Sequence, residues 1–398
     1  MKKVLNNLKK IFSKLKKGIK LICLTVINRV LRIFTKIEKN KVLFLSDVRE
    51  TLGGNLELVY NMLPEEKYNK KVSLKADRRA KRSIKDEMNL LIDLVTSEYI
   101  MLEDLSRATI PIKLKKGQQL CQLWHAPGAF KKFGYSRKDI TNIHPAYKKY
   151  TKAIVSSKEI EPCYAEAFGI TVDKVKATGI PRTDMFFDKT YIEKKKEQLY
   201  LQYPILKNKK VILFAPTYRG TPFSDDASYD FNKLDIQKIH DELKDEYVFV
   251  FKWHPAIYNN IKRGITVMPD IYRYNQFYID LSEYRDINDL LLVTDVLITD
   301  YSSVIFDYAL VNKPIVYFTY DLEDYENGRG LYYDFKDYVY GDVTKNCDEL
   351  IHAIKRQNMS SELRDSFMNK FMDACDGTST KKTCDWIFGT VDNLNIDK

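Results

Sequence analysis

Five short polar clusters, each set directly after an apolar run, hold the residues of this 398-residue chain that can do chemistry. The first is Trp124-His125-Ala126-Pro127-Gly128-Ala129-Phe130-Lys131-Lys132. A histidine followed by a glycine turn and two lysines suits a general base beside an anionic substrate, although a lone histidine also serves structure. The second is Thr178-Gly179-Ile180-Pro181-Arg182-Thr183-Asp184, where Arg182 either grips a phosphate or pairs with Asp184. In the third, Ala215-Pro216-Thr217-Tyr218-Arg219-Gly220, Thr217 and Arg219 can both donate to phosphate oxygens, Arg219 through two parallel bonds. The fourth, Lys252-Trp253-His254-Pro255, puts two donor groups at one strand end. The fifth, Thr299-Asp300-Tyr301-Ser302-Ser303, leads into a helical pattern from Val304 to Leu310. Its hydroxyls lie at the positive end of a helix, so they either cap it or bind phosphate there. Asp300 or Asp307 would orient a hydroxyl or a histidine, whereas Glu283 and Asp286 read as surface charges. One phosphate-bearing ligand accounts for five equivalent positions better than five unrelated structural roles.

The elements that must position these clusters are strands of a parallel α/β fold, because such sheets present ligands at the carboxyl ends of their strands. The chain predicts strands at Val42–Leu45, Gln119–Leu123, Ala153–Val155 and Lys174–Ala177, then a second series at Val211–Phe214, Tyr247–Phe251, Val296–Ile298 and Ile315–Phe318. Helical stretches alternate with them, as expected for two α/β layers. The charged stretch Asp188–Lys210 reads as the passage between halves, and a closing helix is expected from Lys381. The expected domains are a basic segment over 1–40, a Rossmann-like domain over 41–190 and a second over 191–398.

Charge is concentrated at the start. Residues 1–40 hold ten Lys and two Arg against Glu38, which equals the net +11 of the whole chain. Val4, Leu8, Ile11, Leu15, Ile19, Ile22, Val26, Val30, Ile33 and Ile37 form an apolar stripe at helical spacing. The apolar runs are far too short to span a bilayer, so an amphipathic helix at an anionic membrane surface fits best; the competing reading packs the stripe on the body. Residues 67–85, with nine Lys or Arg against Asp77, extend the positive surface or form a solvated helix face. No nucleic-acid motif follows the basic segment, so nucleic acid is not an expected partner. The six cysteines show no paired or zinc spacing, and no cluster has metal-ligand spacing.

The combined set resembles the CDP-glycerol glycerophosphotransferases of teichoic-acid synthesis. It consists of His125 with Gly128 and Lys131, Gly179-x-Pro181-Arg182-x-Asp184, Ala215-Pro216-Thr217-x-Arg219, Lys252-x-His254-Pro255 and Thr299–Ser303, in that order. The resemblance implies a GT-B fold with the donor mainly on the second domain. It also implies an enzyme peripheral to the cytoplasmic face of the cell membrane, using CDP-glycerol and an undecaprenyl-diphosphate-linked acceptor. With no metal-ligand spacing in any cluster, no cofactor and no tightly bound metal are expected, although Mg²⁺ can accompany the diphosphate. In that reading His125 is the base. His254, Lys252 and Arg219 neutralise the diphosphate, and Ser302 and Ser303 hold the leaving CMP. Gly128, Lys131, Arg182, Asp184, Thr217, Asp300 and Asp307 complete the substrate site. Family polymerases often read His-Gly-Thr-Pro at the first cluster; the His125-Ala126-x-Gly128-Ala129 form, and a chain without the long N-terminal domain of the large polymerases, are more similar to the primase branch. Transfer of ribitol phosphate, or of a sugar from a nucleotide sugar by a GT-B glycosyltransferase, remain the alternatives.

Overall fold

The computed structural model describes residues 2–390 except 77–79, 138–142 and 222–223, with no side chain described for 2–17 or 329. Asp77 and the lysines of the first turns therefore lie outside the described side chains. The described strands are β1 (Glu38–Ser46), β2 (Asn69–Leu74), β3 (Ser97–Leu102), β4 (Gln119–Gln122), β5 (Lys152–Val155), β6 (Val175–Ala177), β7 (Lys210–Phe214), β8 (Tyr247–Phe251), β9 (Tyr278–Asp280), β10 (Val296–Thr299), β11 (Ile315–Phe318) and β12 (Asp342–Thr344). They form two six-stranded sheets, ordered β2-β1-β3-β4-β5-β6 and β12-β11-β10-β7-β8-β9. Every strand pair is parallel.

The central strands are apolar on both faces because helices cover both. Val42, Leu43, Phe44 and Leu45 of β1, and Val296, Leu297 and Ile298 of β10, are fully buried. Parallel order places all carboxyl ends on one edge of each sheet. The fold is thus two Rossmann-like domains, as the strand–helix alternation requires.

The expected passage between the halves is a helix, Lys189–Gln202. It rests on the second domain: Tyr191 Oη donates to Asp289 at 3.0 Å and Lys195 Nζ pairs with the same carboxylate at 3.2 Å. The closing segment does not stay with the second sheet, in contrast to a contiguous 191–398 unit. Ala374 N donates to the Ser156 carbonyl at 3.1 Å, and Lys152 Nζ reaches the Trp386 carbonyl at 2.6 Å. Phe388 packs against Tyr68 and Tyr99 of the first domain, with centroids 5.5 and 4.6 Å apart. The chain end thereby straps the two halves together.

The segment Lys2–Phe34 is one helix. Its Asn28 is buried, accepting from Lys113 N at 3.3 Å, and Arg32 donates to the Leu114 carbonyl at 3.3 Å. The stripe lies on the other side: Ile19, Ile22, Val26, Val30 and Ile33 are between 47 and 76% exposed. The helix therefore docks by a different face and leaves its apolar stripe facing outward.

Candidate active site

The five clusters meet where the carboxyl edges of the two sheets face one another. His125 follows β4 through Trp124, whose φ of +53° is a left-handed conformation rarely adopted by so large a residue. That turn is held at both ends. Trp124 N donates to Gln122 Oε1 at 2.9 Å, and its carbonyl accepts from Asn55 Nδ2 at 2.8 Å. The abrupt change of direction carries His125 off the strand line, leaving its side chain half exposed. Asp104, two residues beyond β3, places Oδ1 3.8 Å from His125 Nδ1. A carboxylate facing Nδ1 favours the tautomer in which Nε2 accepts a proton, and it stabilises the imidazolium that results. The neighbouring Glu103 is pushed up to about 7 by burial, against the pull of Arg49. Sequence reading missed Asp104, Glu103 and Asn55, because none stands in a recognisable motif.

Gly128 has a role different from ligand contact. Its φ is +67°, and a Cβ there would lie 2.2 Å from the ring of Phe306. The position requires the absence of a side chain, which lets the His125 loop close onto the helix Val304–Val311 of the second domain. Lys131 completes the crossing. Its Nζ donates to Thr217 Oγ1 at 2.8 Å and lies 5.8 Å from the Tyr218 ring centroid. The backbone joins as well: Lys132 N donates to the Gly330 carbonyl at 3.1 Å, and Tyr332 N to Phe130 O at 3.0 Å.

Arg182 does not pair with Asp184. Its Nη2 reaches Asp307 Oδ2 of the second domain at 2.7 Å, and its Nη1 donates to the His125 carbonyl at 2.7 Å. Asn288 Nδ2 holds the other oxygen of Asp307 at 3.1 Å. Asp184, expected at the substrate, caps the final helix Ser379–Phe388 instead. It accepts from Ser379 N at 2.9 Å, from Thr380 N at 2.8 Å and from Thr380 Oγ1 at 2.7 Å. Three donors converge on this one carboxylate, which sets it to hold the closing segment.

In the second domain, Arg219 is built into a carboxylate network rather than left open to a phosphate. Nε and Nη2 bond both oxygens of Asp321 at 2.5 and 2.8 Å, and Nη1 reaches Asp300 Oδ2 at 2.8 Å. Asp300 is buried, which raises its carboxyl pKa against the pull of Arg219. Its other oxygen accepts from Thr217 N at 2.8 Å, fixing the loop that meets Lys131. Lys252 is likewise committed: Nζ donates to the carbonyls of Ser282 and Tyr284 at 2.9 and 2.5 Å. Burial lowers its pKa to about 8.

His254 begins the helix Pro255–Lys262, and its Nδ1 accepts from Ala256 N at 3.1 Å. An acceptor at Nδ1 leaves the proton of the neutral ring on Nε2. His254 is therefore shaped as a hydrogen-bond donor, the opposite polarity to His125. Its ring rests 4.6 Å from that of Tyr218, adjoining the Lys131 crossing. At the fifth cluster the helix Val304–Val311 has no side-chain cap from Ser303, and Ser302 Oγ is 3.5 Å from Val304 N. Ser302 thus meets the first helical N–H only at long range, and both hydroxyls sit half-buried at the helix start. Among the described residues, no group of three or more His, Cys, Asp or Glu could hold a metal ion.

Lys131 thus ties the His125 loop of the first domain to the Thr217-Tyr218 loop of the second, and Tyr218 in turn touches the ring of His254. The family profile described as CDP-Glycerol:Poly(glycerophosphate) glycerophosphotransferase matches residues 27–389. The chain belongs to this family. It is 45% identical, over 88% of its length, to the teichoic acid poly(ribitol-phosphate) polymerase of Bacillus spizizenii (strain ATCC 23059 / NRRL B-14472 / W23), of which it spans 56%. It is 32% identical to the teichoic acid ribitol-phosphate primase of the same strain, over 90% of this chain and 93% of that one. Among solved structures it resembles the wall teichoic acid polymerase TagF, with a TM-score of 0.74 and 21% identity over 94% of this chain and 96% of that one. At that identity the likeness is one of fold, and it extends across both domains of this family member.

Proposed function

We propose that this chain transfers ribitol phosphate from a CDP-linked donor to a membrane-lipid-linked teichoic-acid precursor, releasing CMP, with its two domains acting as a GT-B pair. The observation that carries the reaction class is the Lys131–Thr217 bond, which draws the His125 loop and the His254 strand end to one cleft. An acceptor hydroxyl gives its proton to His125 Nε2 as its oxygen bonds the phosphorus bearing the polyol. The bond from that phosphorus to the oxygen of CMP breaks, and CMP leaves with the electron pair. His254 Nε2–H donates to a non-bridging oxygen, where charge develops. Ser302, Ser303 and the helix start behind them hold the departing phosphate. Arg219 and Lys252 act through the loops they anchor.

The sequence led with glycerol phosphate; identity to proteins named for ribitol phosphate moves ribitol phosphate ahead. The test is a donor screen. Purified protein with a lipid-linked acceptor is expected to release CMP from CDP-ribitol faster than from CDP-glycerol, and to release no nucleotide from nucleotide sugars. UDP release from a nucleotide sugar would move the reading to a glycosyltransferase.

The N-terminal helix supports a membrane-surface reading. Among the described residues no helix is long and apolar enough to cross a membrane. The outward stripe from Ile19 to Ile33, with twelve cationic residues among residues 1–40, suits an anionic lipid interface instead. Replacing Ile19, Ile22, Val26 and Ile33 with glutamate is expected to abolish sedimentation with vesicles containing anionic phospholipid. Turnover of a short-chain soluble acceptor should persist; equal loss on both acceptors would make the stripe structural.

A further inference from the structure

The basic stretch 67–85 has one residue built inward. The side chain of Arg82 is only 9% exposed, and its Nη1 donates to Asp47 Oδ1 at 3.0 Å. Among the described residues its Nε and Nη2, both buried, have no hydrogen-bond partner. We infer that these two N–H groups receive the phosphate headgroup of the acceptor's lipid, whose chain runs along the helix Ile84–Thr96. The inference rests on the lipid-linked acceptor of the transferase reading and assigns that lipid a site on the first domain.

Unsatisfied donors are the first argument. A guanidinium N–H buried without an acceptor loses its hydration and gains nothing in return. Nε and Nη2 form one side of the fork, the pair that grips two phosphate oxygens in parallel. Asp47 is otherwise engaged. Its oxygens accept from Arg82 Nη1, from Ser106 Oγ at 2.7 Å and from Arg107 N at 3.3 Å, and Lys75 Nζ stands 3.6 Å away. The carboxylate thus holds the guanidinium in place and leaves that side of the fork to a ligand.

The neighbouring helix is the second argument, and it favours a lipid. Ser83 caps it by accepting from Asp86 N at 3.1 Å, so the first turn begins directly beyond Arg82. Ile84, Met88 and Ile92 recur at every fourth position along one face and are between 36 and 87% exposed. Of its acids, Glu87 pairs with Lys20 at 3.3 Å and Asp93 with Lys41 at 3.1 Å. The Lys20 pair sets this helix beside the N-terminal one, whose stripe also faces outward. A free anion accounts for the fork alone; a lipid phosphate accounts for the fork and the apolar row.

Position is the third argument. The first sheet runs β2-β1-β3-β4, and Lys75, Asp47, Asp104 and His125 follow these strands in turn. Arg82 and His125 therefore stand on the same sheet edge, two to three strand spacings or roughly 10–14 Å apart. An acceptor joined to its lipid through phosphate can lie along that edge with its hydroxyl at the base.

Arg82→Lys keeps the charge beside Asp47 and the charge of the chain while removing the fork, so general attraction to an anionic surface is unchanged. For phosphatidylcholine vesicles carrying a polyprenyl diphosphate, its Kd is expected to rise about tenfold or more. Its Kd for vesicles carrying phosphatidylglycerol, and its melting temperature, should stay near those of the parent. Replacing Ile84 and Met88 with serine tests the chain contact. Binding of the polyprenyl vesicles should weaken several-fold, while binding of inorganic pyrophosphate holds within about twofold. If Arg82→Lys binds the polyprenyl vesicles as the parent does, the site is overturned. If the serine variant does so, the site takes a free phosphate and the lipid assignment is overturned. None of these measurements needs turnover. A parent that binds in this way yet releases CMP from no donor overturns the transferase reading and leaves the lipid site standing.

Discussion

Replacing His125 with alanine is expected to lower the rate of CMP release by about 10²- to 10⁴-fold, the range for loss of a positioned general base. The left-handed turn at Trp124 directs His125 into the cleft, and Asp104 faces its Nδ1 from the end of β3. The ring is half exposed and packs on that of Trp124, with centroids 4.6 Å apart, so the melting temperature should change far less than the rate. Asp104→Asn provides the companion measurement. It keeps the shape but removes the charge that stabilises the imidazolium, so kcat should fall on the order of tenfold or more. KM should stay near that of the parent, which separates a role in the chemical step from one in substrate binding. Full activity in His125→Ala would place the base elsewhere. An unchanged kcat in Asp104→Asn would make that carboxylate a bystander.

The second large effect concerns stability. Arg219→Met is expected to destabilise the chain by about 3–5 kcal/mol, because it leaves the fully buried Asp300 without its cation. The effect should appear as a loss on the order of 5–10 °C in melting temperature. Thr217 N depends on the same carboxylate, so the loop that meets Lys131 should loosen and turnover should fall with stability. A double variant separates these roles. Adding Asp300→Asn removes the stranded charge, so the pair is expected to recover part of the stability without recovering activity. A single Arg219→Met variant as stable as the parent would show that the pairs with Asp300 and Asp321 are surface-like in energy.

The parts legible in the sequence were those set by local rules. β10 and its following helix could be read because an uninterrupted apolar run, a polar turn and Lys313-Pro314 stand in order. β2 could not: its residues Asn69–Leu74 include two lysines and remain largely uncovered at the edge of the sheet. β9 and β12, three residues each at sheet edges, carry too little pattern to be read. Missing β3 cost more, since the strand-end rule that found His125 and His254 would also have found Glu103 and Asp104 had its end been known. Pairings failed for a different reason. Arg182 has Asp184 two positions away in sequence, yet its partner is Asp307, 125 positions on and in the other domain. Sequence distance says nothing about which carboxylate a folded chain brings to a guanidinium. The carboxylate partners of Arg219 and the capping role of Asp184 belong to the same class of long-range fact.

The proposed transfer of a polyol phosphate rests on His125 in the first domain and His254 in the second. The most direct test is the mass of the product formed from CDP-ribitol and a lipid-linked acceptor by the parent chain and by His125→Ala. The parent is expected to add ribitol phosphate to the acceptor with release of an equal amount of CMP, and the variant to leave the acceptor essentially unmodified. An acceptor unchanged by the parent with every CDP-polyol, or one that gains a sugar mass from a nucleotide sugar, would contradict it.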